Sequence, residues 1–247
     1  MRALIEDIAA QSTNRLCGRV AAISGSLVEV CGPVFAFSIG MRLSASFTIE
    51  GDDVSIPLEV IGLKDARALC MAYDGVEGLR RGALVDVMPV GNVLRPSNEW
   101  LGRVVDGLGA PIDQLDALVS GSNPMPLRAK PPAPGVRGRV GQPVDLGVKA
   151  INSFTSLCEG ERMGIFAGSG VGKSVLMSML ARNADFDVIV IGLIGERGRE
   201  VKEFIEDDLG PEGLARAVVV VATSDEPAQK RRQAAFTTMT IAEYFRN

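Results

Sequence analysis

Ala167-Gly168-Ser169-Gly170-Val171-Gly172-Lys173-Ser174 is the stretch on which the reading of this sequence turns. Its alternating glycines let the backbone turn tightly, partly through positive φ angles, so that successive N–H groups point inward as a cradle for an anion. A helical pattern begins at Lys173, with Val175, Leu176, Met179 and Leu180 on one face, and the positive end of its dipole adds to the cradle. From there Lys173 can reach the β- and γ-phosphates of a nucleotide, and the Ser174 hydroxyl can ligate magnesium. The stretch therefore points to ATP with Mg2+. The binding positions are Ala167, Gly168, Ser169, Gly170, Val171, Gly172, Lys173, Ser174 and Val175, with Ser174 as the metal ligand. The strict pattern opens with glycine; Ala167 stands there instead, at a strand end where a methyl group is tolerated.

Outward from the loop, strands and helices alternate. Residues 162–167 read as a short apolar strand, 173–183 as a helix, and 187–194 as a nearly all-apolar strand buried on both sides. A second helix over 200–209 buries Val201, Phe204 and Ile205, Ala217–Ala222 is a third buried strand, and residues 227–246 form a helix with Pro227 in its first turn. This rhythm predicts a parallel sheet covered by helices.

Glu196 follows the 187–194 strand at the sheet's carboxyl edge, where parallel sheets keep their ligands. There a carboxylate can orient and polarise a water for in-line attack on a γ-phosphate, or be an ordinary solvated loop acid. Asp225, beyond the 217–222 strand, reads as an acid before a helix N-terminus beside Ser224 rather than a magnesium ligand. Lys230, Arg231 and Arg232 read as a solvated or subunit-facing surface.

Before the loop the pattern is different. From Arg19 to about Val90, period-two alternation, clearest in Met41, Leu43, Ala45, Phe47 and Ile49, marks short strands at 20–23, 27–30, 41–49, 56–61, 69–73 and 84–87. That spacing predicts a small antiparallel barrel. Six of the chain's 13 prolines fall between Ser122 and Pro143, so that stretch reads as an extended connector. The predicted organisation is an N-terminal segment (1–14), a β-barrel (15–92), a lead-in and connector (93–143) and a nucleotide-binding core (144–247). Leu4, Ile5 and Ile8 form either one stripe of a short docking helix or a frayed end.

Composition removes several function classes. The 247 residues contain no histidine, which excludes Ser-His-Asp triads and histidine-ligated zinc. With 26 basic and 30 acidic residues the net charge is −4, which supplies no broad positive field for nucleic acid or anionic lipid. Cys17, Cys31, Cys70 and Cys158 are widely spaced and read as buried, reduced thiols. No run approaches membrane-spanning length, so membrane contact is at most peripheral.

Three stretches carry a family resemblance: the loop with its lead-in, Arg162-Met163-Gly164-Ile165-Phe166; Ile191-Gly192-Leu193-Ile194-Gly195-Glu196-Arg197-Gly198-Arg199-Glu200-Val201; and Ala222-Thr223-Ser224-Asp225-Glu226-Pro227. Together with Trp100-Leu101-Gly102-Arg103-Val104-Val105-Asp106 they closely resemble the flagellar and type III secretion export ATPases, relatives of the rotary ATP synthase catalytic subunit. The resemblance implies a ring-forming N-terminal barrel and a RecA-like P-loop core. It makes Glu196 the catalytic carboxylate, with Lys173 and with Arg197 near the γ-phosphate; noncatalytic synthase subunits typically lack this glutamate. It also implies a cytoplasmic homo-hexamer, peripheral at the inner face of the cell membrane. Its partners would be stator and stalk proteins, an export gate and substrate–chaperone complexes, with no nucleic acid. Family members continue beyond Tyr244-Phe245-Arg246 into a strand bearing a magnesium-associated aspartate, an arginine finger and adenine contacts, so the sequence reads as a C-terminally truncated piece. The alternatives it leaves are an injectisome ATPase, a rotary synthase subunit, and nucleotide binding without turnover.

Overall fold

The computed structural model describes residues 16–88, 92–168 and 170–247. The N-terminal segment 1–14 and Ser169 of the loop therefore lie outside the described residues. The chain divides into two compact units, residues 1–92 and 93–247.

In the first unit, six strands close into an antiparallel barrel: β1 (Cys17–Ser24), β2 (Leu27–Cys31), β3 (Arg42–Ile49), β4 (Asp52–Lys64), β5 (Arg67–Ala72) and β6 (Leu84–Val87), in the order β1-β2-β5-β4-β3-β6 with β1 pairing β6. The alternation seen in the sequence is the inside–outside alternation of the wall. Leu43 and Ala45 of β3 are fully buried with Val28, Val30, Leu58, Val60, Ala68, Cys70 and Val85, while Ser44 and Ser46 point away. Closure leaves no free ladder edge on the barrel. Polar groups also enter the wall: the Tyr73 hydroxyl donates to Glu59 Oε2 at 2.9 Å, and the buried Arg42 guanidinium lies 5.5 Å from the Tyr73 ring centre. Burial pushes the Tyr73 hydroxyl and the Cys70 thiol up to about 12 each. Of the four cysteines only Cys70 is buried; Cys17 and Cys31 are exposed near strand ends, which corrects the expectation of uniformly buried thiols.

The second unit carries two short ladders, β7 (Val93–Leu94) with β9 (Met125–Pro126) and β10 (Pro143–Val144) with β11 (Leu157–Cys158), and one parallel sheet. That sheet consists of β8 (Val104–Asp106), β12 (Ile189–Ile194) and β13 (Ala217–Ala222), with β13 in the middle. Its helices are α1 (Lys149–Phe154), α2 (Lys173–Asn183), α3 (Gly198–Glu203), α4 (Gly210–Ala215) and α5 (Ala228–Arg246); a π-helical turn, Phe204–Leu209, continues α3. All six residues of β13 are buried. Val218, Val220 and Ala222 pack on one face with Trp100, Ala234 and Ile241, and Ala217, Val219 and Val221 on the other with Ala181, Val201, Phe204 and Leu209. Helices on both faces account for that run of apolar residues.

Three expectations need correction here. Residues 162–167 form no strand: no ladder partner lies beside them among the described residues, and without one an extended segment has nothing to satisfy its N–H and C=O groups except water. Phe166 is accordingly 97% exposed. The β12 strand is not buried on both sides, because among the described residues it pairs only with β13; Ile191 is its one buried residue. On α2 the buried residues are Ser178 and Ala181; Val175 and Met179 are exposed, and Leu176 and Leu180 pack partly against Leu146, Ile151 and Ala184. Within the lead-in, Val104–Asp106 gives the sheet its third strand, β8, to which the sequence pattern assigned no element.

The β8 strand is fixed by a partly buried ion pair. Arg103 Nε and Nη2 donate to Asp113 Oδ2 and Oδ1 at 2.7 and 2.9 Å, and Val104 N–H donates to Asp113 Oδ2 at 3.0 Å. The guanidinium, with the backbone N–H groups of Val104 and Leu115, holds the Asp113 carboxyl down at about 2 against an ordinary 3.8. A folded-state value below the unfolded one contributes stability that is complete above pH ~4 and is lost as pH falls through about 2, on the order of 2 kcal/mol in all. Asp113→Asn should remove that part of the acid sensitivity, read from urea midpoints of the single tryptophan, Trp100, between pH 5 and pH 2.

Strain sits in a different hairpin. Asp65 and Ala66, the two-residue turn between β4 and β5, have φ of 48° and 58°, the left-handed values that favour Asn-Gly. Replacing them with Asn-Gly should stabilise the barrel by about 1 kcal/mol, since a left-handed non-glycine residue costs roughly 1–2 kcal/mol. A higher urea midpoint of the barrel transition, followed by circular dichroism, would show it.

Candidate functional site

Where the phosphate loop meets α2, Gly170 and Gly172 have φ of 76° and 95°, and Gly172 is the residue that precedes the helix. An added Cβ at Gly168, Gly170 or Gly172 would meet no heavy atom within 4 Å. Glycine is therefore required at 170 and 172 for backbone conformation rather than for space, and the room above the loop suits a phosphate chain. Leu176 N–H closes the first helical turn on Gly172 O at 2.9 Å. The N–H groups before it have no intrahelical acceptor and are the donors a polyanion would take.

The opposite wall comes from the end of β12. Gly195, with φ of 82°, breaks the strand, and its N–H donates to Ala222 O at 2.7 Å; Glu196 O accepts from Ser224 N–H at 2.9 Å. The turn that carries Glu196 is thereby fastened to the end of β13. Glu196 Oε1 lies 3.7 Å from Lys173 Nζ, with the two side chains 36% and 46% exposed. At that distance and exposure the pair is a loose solvent-side contact, worth at most about 1 kcal/mol. A cavity of ≈ 900 Å³ is lined by Gly168, Gly170, Gly172, Lys173, Ser174, Val175 and Glu196, by Glu200, Glu203 and Asp208, and by apolar residues that include several of α2 and β12.

The structure thus gathers Lys173, Ser174 and Glu196, from two separate segments, around one cavity. Ala167, Val171 and Arg197 are not among its lining residues. Arg197 is the residue before α3 and reaches instead toward Glu200, Nη1 to Oε1 3.9 Å. The Asp225 carboxyl is held below the usual range by the Thr223 side chain and by its own backbone N–H.

Sequence reading missed two cations here. Lys230, expected on a solvated or subunit-facing surface, is only 11% exposed; its Nζ lies 3.2 Å from Asp106 Oδ2 and 3.1 Å from Glu226 Oε1, tying β8 to the first turn of α5. The i,i+4 spacing from Glu226 was its one visible sign. Arg216, just before β13, donates to carbonyl oxygens at the end of α2, and nothing in its local sequence marks it. Among the described residues no cluster of three or more acids or cysteines is placed to hold a metal, and no described helix is long and apolar enough to cross a membrane.

Comparison with known proteins decides the family. Residues 147–247 match the ATP synthase alpha/beta family, nucleotide-binding domain. The whole chain is 51% identical to the flagellum-specific ATP synthase of Caulobacter vibrioides, covering 55% of that protein. Over 99% of its length it is 40% identical to the type 3 secretion system ATPase of Xanthomonas euvesicatoria, covering 54% of it. Among solved structures, the assembled ATPase EscN of the enteropathogenic E. coli type III secretion system is 38% identical with a TM-score of 0.80, over 93% of this chain and 53% of that one. Residues 147–247 belong to the ATP synthase alpha/beta family, and the whole chain is similar to its flagellar and type III secretion members. It spans about half the length of the relatives it matches. The loop and its helix thus lie in a family nucleotide-binding domain, and Glu196 and Arg197 lie within the same matched residues.

Because the Lys173–Glu196 contact is loose and solvated, it adds little to folding. Glu196→Gln should leave the unfolding free energy, from urea titration followed through Trp100, within about 0.5 kcal/mol of the parent; a larger loss would mean that the carboxylate is structural.

Proposed function

We propose that this chain is the ATP-binding and ATP-hydrolysing part of a bacterial flagellar protein export ATPase. The observation that carries the reading is the convergence of Lys173 and Glu196, 3.7 Å apart, across one cavity at the carboxyl edge of a parallel sheet. Lys173 and the N–H groups of the Gly168–Ser174 turn hold the β- and γ-phosphates, and Val175 extends the contact along the first turn of α2. Glu196 accepts a hydrogen bond from a water and aims its lone pair along the line of attack. Ser174 is the side chain that would hold Mg2+, which neutralises charge on the phosphate oxygens as the bond breaks. Arg197, at the mouth of the same turn, adds positive charge near the γ-phosphate in the assembled protein.

The barrel within residues 15–92 serves ring assembly, 93–143 is the lead-in, and 144–247 the core. Assembly into a ring with a stalk is supported by the assembled EscN and by its complex with the central stalk EscO; that the ring is a homo-hexamer on the cytoplasmic side, peripheral at the inner face of the cell membrane, is the further part of this reading. Stator proteins, an export gate and substrate–chaperone complexes are the further partners of this reading. An injectisome role is the second reading, favoured by 38% identity to EscN; the 51% match over the whole chain favours the flagellar one.

Lys173→Ala should abolish ATP turnover in the intact protein and weaken Mg-ATP binding more than tenfold. Glu196→Gln should lower kcat at least a hundredfold while Mg-ATP affinity stays within a few-fold. Phosphate release and fluorescent-nucleotide titration measure the two quantities, and full turnover by either variant would overturn the assignment.

A further inference from the structure

The end of α2 is held by one side chain from across the core. Arg216 Nη2 donates to Ala181 O at 3.0 Å, Arg182 O at 3.0 Å and Ala184 O at 3.2 Å, and Nη1 donates to Phe186 O at 2.8 Å. The last carbonyls of a helix have no intrahelical partner and carry the negative end of its dipole. A planar guanidinium can meet several of them at once, which a compact ammonium cannot.

This contact matters because the helix is only lightly buried, packing through Leu176, Leu180 and Ala181. Of the eleven residues of α2 only Ser178 and Ala181 are buried, while Val175, Met177 and Met179 are exposed. Upstream of the loop, residues 162–167 join no ladder. Arg216, by contrast, is adjacent to Ala217, the first residue of the fully buried β13. Ala222, at the other end of that strand, binds Gly195 N–H and so the turn bearing Glu196. One strand thus carries the tether of the phosphate helix at its start and the anchor of Glu196 at its end.

We propose that Arg216 is a positioning residue for nucleotide binding: by gripping the carboxyl end of α2 it sets where Lys173 and the loop amides stand relative to Glu196. The lever is large enough. Eleven residues span about 16 Å, so a 10° tilt about the tethered end moves Lys173 by about 3 Å, the length of a whole hydrogen bond. The proposal rests on the phosphate-loop reading given above.

The test is a fluorescence titration of the 247-residue chain with Mg2+ and ATP carrying a fluorescent ribose label. Arg216→Met should raise Kd about tenfold or more, and Arg216→Lys, which keeps the charge but not the fork, should fall in between. Arg103→Met removes a structural ion pair and serves as the control; it should lower the urea midpoint yet leave Kd within twofold. A folded Arg216→Met chain with the parental Kd would overturn the proposal, as would a control that weakens binding equally at matched stability. Should Arg216→Met fail to fold, Arg216→Lys decides, a raised Kd with an unchanged circular dichroism spectrum supporting the tether and an unchanged Kd removing it. A parent chain that binds no nucleotide would overturn the phosphate-loop reading itself, and the tether with it, a result distinct from Arg216 being dispensable.

Discussion

The second unit depends on the burial of β13. Six consecutive small or β-branched residues, Ala217 to Ala222, are covered on both faces, and a strand in that position can exist only if parallel neighbours satisfy its backbone and helices cover its side chains. Its register then places everything else: Val221 stands opposite Asp106 on one side and Leu193 on the other, and Ala222 opposite Ile194. The carboxyl ends of all three strands therefore finish together. Asp106, the Glu196 turn and the Thr223–Pro227 turn share that edge because the ladder leaves them nowhere else to be.

Phosphate binding needs the opposite kind of structure, a backbone with donors left over. Gly170 and Gly172 adopt left-handed φ angles that an L side chain reaches only at a cost of roughly 1–2 kcal/mol, and α2 begins where the loop ends, presenting N–H groups that no carbonyl in the helix can take. The helix itself is only lightly buried. Its carboxyl end is gripped by Arg216, which links the loop chemistry to the capping of a terminus 11 residues away.

Periodicity made the barrel legible, because each wall strand has one face in the core and one in water, and the 2.0 repeat survives in Leu43, Ala45 and Phe47 against Ser44 and Ser46. The phosphate loop was legible because its conformation requires glycine. The strand read at 162–167 was not found, since apolar composition says only that a segment prefers burial, whereas a strand also needs a neighbour to complete its hydrogen bonds. The contribution of β8 was hidden for a related reason: three residues followed by glycines and prolines have too little pattern to be told from a loop, although Val104 and Val105 are buried. Arg216 and Lys230 escaped because a charged residue reads as solvated until the carbonyls or carboxylates that surround it are known.

Two ion pairs in this unit show how one kind of interaction serves two purposes. Arg103 and Asp113 meet through both donors at 2.7 and 2.9 Å with side chains 13% and 9% exposed; removing either partner would leave a partly buried charge unpaired, so the pair is fixed and holds β8. Lys173 and Glu196 meet at 3.7 Å through single atoms in partial solvent. Their attraction is weak enough for a polyanion to outcompete, since a phosphate chain offers the ammonium several charged oxygens within the same reach. A buried, bidentate pair at that position would hold the lysine against its substrate and keep the carboxylate from a water. The looseness of the contact is therefore what allows both side chains to take part in chemistry, and it is available only because the turn bearing Glu196 is fastened through its backbone to β13 rather than through its side chain to Lys173.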